Sequence, residues 1–77
     1  MEEQLKNYVK QLYVDNYARF LYYKAIEDTT GKINFYDGRN SLLLKAFPNQ
    51  LGTDSEVEEL RIKAQAKVDE ILEFMNN

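Results

Sequence analysis

The chain has 77 residues, 44% of them hydrophobic and 30% charged, with 10 lysines and arginines against 13 acids and a net charge of −3 at pH 7. This length suits one domain, residues 1–77, burying roughly 60–65% of the surface it exposes when unfolded. Cysteine and histidine are both absent, which removes disulfides, thiolate and imidazole metal ligands, the cysteine nucleophile and the usual acid-base group near neutral pH, so no metal, cofactor or catalytic residue is expected.

The opening MEEQLKNYVK lacks a basic segment followed by an apolar core, and no run approaches the ~18 apolar residues of a membrane span, so a cytoplasmic location and no membrane partner are expected. The basic residues are scattered, which argues against a dedicated phosphate-binding surface. Lysine outnumbers arginine 7 to 3, a composition that suits an AT-rich bacterial or phage genome.

From Glu2 to about Glu27 there is no glycine or proline, and Leu5, Tyr8, Val9 and Leu12 recur at the spacing of one helix face. The pattern predicts a long helix closed near EDTTGK, with Gly31 supplying the left-handed closing residue. At about 100° per residue from Leu5, Tyr8, Val9 and Leu12 form a core stripe within about 60° of it; Tyr13, Val14, Tyr17, Phe20 and Leu21 then gather between about 60° and 180°, and Tyr22, Tyr23 and Ile26 between about 260° and 360°. The C-terminal half of this helix is thus apolar around most of its circumference and requires more than one neighbour.

KINFYDG alternates apolar and polar residues before the turn pair Asp37-Gly38, and reads as an irregular connector that anchors Ile33 and Phe35 in the core. A short helix is expected from about Arg39 to Phe47, with Asp37 or Gly38 as its start signal and Pro48 as its stop. The last helix opens on a capping box, Thr53 with Glu56, and carries the stripe Val57, Leu60, Ala64, Val68, Ile71 and Met75, with Leu51 packing back on Val57. The expected architecture is all-α: a small helical bundle of two long antiparallel helices, with a short helix and an irregular connector between them.

No motif specifies a chemistry. Glu58, Glu59, Glu70 and Glu73 fall on the polar side of the last helix, where carboxylates are normally solvated, and the Gly-Lys pair of DTTGK lacks the earlier glycine and the preceding strand of a phosphate loop. Five of the six tyrosines lie in the first helix, and tyrosine and arginine favour half-wet interface cores. The reading is therefore a non-enzymatic protein-binding module, a regulator, inhibitor or adaptor, whose anchors are Tyr13, Tyr17, Arg19 and Tyr22 with Tyr36 and Arg39 from the FYDGRN stretch. Its partner is another protein or a second copy. Arg19 has Asp15 and Tyr23 within helical reach for an ion pair and a cation-π contact. Two alternatives stand beside this reading: a nucleic-acid-binding regulator using Arg39, Lys45, Lys63 and Lys67, and a structural subunit of a homo-oligomer.

Overall fold

The structure, a computed structural model, describes residues 1–76 and contains four helices: α1 (Glu2–Ala25), α2 (Lys32–Ala46), α3 (Pro48–Leu51) and α4 (Asp54–Asn76). The small all-α bundle expected from the sequence is what forms, and its two long helices are in contact. α1 lies in the middle, packed against α2 and α4, which scarcely touch each other. The two neighbours expected for its apolar circumference are thus supplied within the chain.

The direction of α4 differs from expectation. Lys10 reaches Glu56, Tyr13 reaches Arg61, Asp15 reaches Lys67 and Tyr22 reaches Met75, so positions along α4 advance with positions along α1 and the two long helices run parallel. The antiparallel neighbour of α1 is α2, whose Tyr36 stacks on Tyr23 while its Leu43 shares a cleft with Leu12. The cause is the length of α2. It starts at Lys32 rather than about Arg39, and its 15 residues span about 22 Å, enough to carry the chain back to the start of α1 before α4 begins.

The connector reading of KINFYDG is therefore corrected: the segment is the first half of α2, ordered by Ile33, Tyr36, Asn40, Leu43 and Phe47, whose three- and four-residue spacing lines the face turned to α1. Phe35 falls off that face and is 55% exposed, so only Ile33 of the expected pair is partly buried. Pro48 stops α2 as expected and opens α3, a turn of helix absent from the sequence reading, which buries Leu51 completely.

The helix ends follow from local chemistry. Glu27, not Gly31, takes the left-handed position that closes α1, with its N–H on the Lys24 carbonyl and the Asp28 N–H on the Tyr23 carbonyl. Gly31, also left-handed, instead precedes α2. Asp28 accepts from the hydroxyl and N–H of Thr30 and the N–H of Lys32, and the Thr30 hydroxyl bond above all holds its carboxyl below the usual range. The α4 capping box is present: Thr53 Oγ1 accepts from the Glu56 N–H at 3.2 Å, and Glu56 accepts from the Thr53 N–H at 3.1 Å. Gly52 is required beside it, because its φ is +91° and a Cβ there would stand 2.7 Å from the Glu56 carboxylate.

One core cluster joins Val9, Tyr13 and Val14 of α1 to Leu43, Leu51, Val57, Leu60 and Ala64. Leu5 and Tyr8 of the expected core stripe are exposed: α3 crosses the first turns beside Glu3 and Lys6, and α2 ends before it covers the other side. The α4 stripe is buried from Val57 to Val68, but Ile71 and Met75 are exposed, since among the described residues α4 packs chiefly on α1.

Candidate interaction face on α1 and α2

The anchor residues expected from the sequence separate into two groups. Tyr13 is 0% exposed, its ring inside the core and its hydroxyl accepting from Arg61 Nε at 3.0 Å, so it cannot serve as a surface anchor. Its direction on α1 faces the side closed by Leu43, Leu51 and Val57. Tyr17 is half-buried against the same core, stacked on Tyr13 at 5.8 Å between centroids, and its ring lies under the Arg61 guanidinium at 5.7 Å. That hydrogen bond to Tyr13 raises the affinity of Arg61 for its proton above the ordinary arginine value.

Arg19, Tyr22, Tyr36 and Arg39 come together elsewhere. Tyr22 meets Tyr23 edge-on at 5.3 Å, Tyr23 stacks on Tyr36 at 5.7 Å, and Tyr36 meets Phe35 edge-on at 5.0 Å, a ladder of four rings across the α1–α2 contact. Three cations flank it: Arg19 is 6.0 Å from the Tyr36 ring, Lys32 is 5.0 Å from Tyr23 and Arg39 is 5.5 Å from Phe35. Arg19 does not pair with Asp15, whose carboxylate is taken by Lys67 at 3.5 Å and by the Gln11 amide at 3.0 Å, and its ring partner is Tyr36 rather than Tyr23.

Beside the ladder runs a largely apolar cleft lined by Leu12, Asn16, Phe35, Arg39, Leu42 and Leu43. Its rim is hydrophobic to an unusual degree for solvent-facing helix, with Phe35 at 55% and Leu42 at 65% exposure. Asn16 in its wall is only 5% exposed, and its buried Nδ2 has no hydrogen-bond partner among the described residues; Asn40, one turn from Leu43, is as buried and among those residues has no partner for either amide atom. A buried donor without an acceptor costs free energy on the order of 1–3 kcal/mol, and because these amide atoms are shut off from the surface the cost falls on the fold itself. Among the described residues neither Arg19 nor Arg39 is in a salt bridge.

No family model, curated protein or solved structure matches the chain. The site therefore stands on its own geometry.

Leu42 and Asn16 escape the sequence reading, and Leu12 enters it only as part of the core stripe; the signal that would have found the cleft is the helical spacing of Ile33, Tyr36, Asn40, Leu43 and Phe47, which leaves Phe35 and Leu42 together on the flank of that helix. The cations of the nucleic-acid alternative are divided: Lys63 and Lys67 line a cleft between α1 and α4, whereas Arg39 and Lys45 belong to α2 on another side of α1. Among the described residues no three acidic side chains come close enough to hold a metal ion.

Proposed function

We propose that the chain is a non-enzymatic protein-binding module, a regulator, inhibitor or adaptor acting in the cytoplasm, that docks a partner on the α1–α2 face by steric occlusion or bridging. The observation that carries this reading is the apolar cleft with Phe35 and Leu42 exposed on its rim and Arg39 in its lining. Interface cores combine aromatic and aliphatic anchors with arginine, and this cleft has that composition. The ring ladder rigidifies the face, so little side-chain freedom is lost when a partner arrives. Stacking of single-stranded bases is disfavoured, because Tyr23 and Tyr36 already present their faces to each other and Arg39 stands over Phe35.

The test is a pull-down from nuclease-treated lysate of the source organism, comparing the wild type with Leu42→Lys. Leu42 is exposed, so the fold tolerates the change. A protein retained by the wild type and lost with the variant supports the reading. Equal retention by both, or retention of nucleic acid alone when nuclease is omitted, contradicts it.

A further inference from the structure

The cations are scattered along the sequence, but the parallel packing of α1 and α4 gathers three of them. Lys10 of α1 and Lys63 and Lys67 of α4 line one cleft of about 530 Å³ between the two helices, with Asn7 and Gln11 on the α1 wall. Val14 and Leu60, both buried, form its apolar floor. Among the described residues no acid belongs to this lining, although acids outnumber cations 13 to 10 in the chain. The cleft is on the opposite side of α1 from Leu12 and Asn16, and so apart from the α1–α2 face.

The three lysines are held loosely. Lys10 pairs with Glu56 at 3.8 Å at one end of the cleft, and Lys67 pairs with Asp15 at 3.5 Å at the other. Long, partly exposed pairs of this kind contribute little and yield to a stronger acceptor. Lys63, between those two levels, is in no salt bridge among the described residues, even with Glu59 one turn before it. Lys63 and Lys67 are four residues apart and project side by side from α4, across the cleft from Lys10.

Three ammonium groups around one cleft favour a ligand with several negative charges, and linked phosphates offer acceptor oxygens to all three at once. A nucleic-acid strand would need a row of cations continuing past the cleft; here Glu56 and Asp15 stand at its two ends instead, so the cationic patch is as short as a small ligand. The volume falls within the roughly 300–1,000 Å³ of small-ligand clefts. We infer that the α1–α4 cleft binds a small ligand bearing two or more linked phosphates, held by Lys10, Lys63 and Lys67, with Val14 and Leu60 beneath any organic group attached to them. This second site goes beyond the protein-binding reading and does not depend on it.

Isothermal titration of the full chain at low ionic strength tests it, with tripolyphosphate and, separately, with ATP in the absence of divalent cations. One equivalent of tripolyphosphate should bind the wild type, with an affinity that falls as salt is added. Lys63→Gln and Lys10→Gln, from the two walls, should each weaken binding by about tenfold, as loss of a charged hydrogen bond does. Lys45→Gln on α2 changes the net charge equally and should leave binding unchanged. Lys63 and Lys45 are exposed and Lys10 partly so, and all three variants should keep the wild-type circular dichroism. Tighter binding of ATP than of tripolyphosphate would assign the floor to a nucleoside or similar organic group; ATP no tighter would assign the cleft to the phosphate chain itself. No saturable binding of either, more than one equivalent bound, or a loss with Lys45→Gln equal to that with Lys63→Gln would overturn the proposal.

Discussion

Arg61 Nε donates a 3.0 Å hydrogen bond to the hydroxyl of Tyr13, 48 positions away, and this contact joins α4 to α1, which the return of the chain through α2 sets parallel. The Tyr13 ring has no exposed surface, whereas the Arg61 side chain keeps 38% of its own. Tyr13→Ala should therefore cost roughly 3–5 kcal/mol through the cavity it leaves. Tyr13→Phe should cost only on the order of 1 kcal/mol, since the guanidinium can turn to water. Leu42→Ser, on the exposed rim of the cleft, should stay within about 0.5 kcal/mol of the wild type. Urea titrations followed by circular dichroism measure all three, and a mild Tyr13→Ala would contradict the buried placement.

The α4 capping box gives a stability term with a defined pH dependence. The Thr53 N–H, then the Thr53 hydroxyl, hold the Glu56 carboxyl below its ordinary value of 4.5. A depressed folded value means that the carboxylate's contribution is complete above the unfolded value and is lost as the pH falls through the folded one. The gap in unfolding midpoint between wild type and Glu56→Gln should thus be widest near neutrality and close as the pH drops below 4.5. A gap constant into strong acid would contradict the assignment. Thr53→Ala should cost about 1 kcal/mol at neutral pH.

Glu27 holds the left-handed position at the end of α1 with φ of 56°. A side chain in that conformation costs about 1–2 kcal/mol, part of which glycine returns as backbone entropy on unfolding. Glu27→Gly should raise the melting temperature by a few degrees, about 0.5–1 kcal/mol for a domain of this size. No change, or a fall, would mean that α1 does not close there.

The unpartnered amide of Asn16 predicts a gain in stability on its removal. Asn16→Leu removes a buried donor that has no partner among the described residues, and should stabilise the chain by about 1 kcal/mol. Thermal melts read the change; a destabilised variant would indicate that Asn16 is satisfied inside the fold.

How much of this was legible beforehand depended on whether the signal was local. The α4 entry was readable because Thr53, Glu56 and the leucine-valine stripe act within one helix, and the long α1 because nothing interrupts it. The first half of α2 was obscured by Asn34, Asp37 and Gly38, poor helix formers whose local preference is overridden when Ile33, Tyr36 and Asn40 dock on α1. A short second helix cannot return the chain to its start, which is why the sequence alone suggests antiparallel long helices and gives no sign of α3. The number of tyrosines is plain in the sequence, but which are interior depends on the angle at which α2 and α4 approach α1. That angle places Tyr13 in the core, Tyr17 at its edge, and Tyr22 with Tyr36 in the ladder.

On the proposed reading another protein binds the α1–α2 face and not the acidic face of α4. A photoreactive phenylalanine placed at position 42 or at position 59, both exposed, and activated in cells of the source organism separates the two faces. Discrete protein adducts are expected from position 42 and none above background from position 59. Adducts from position 59 alone, or equally from both, would contradict it.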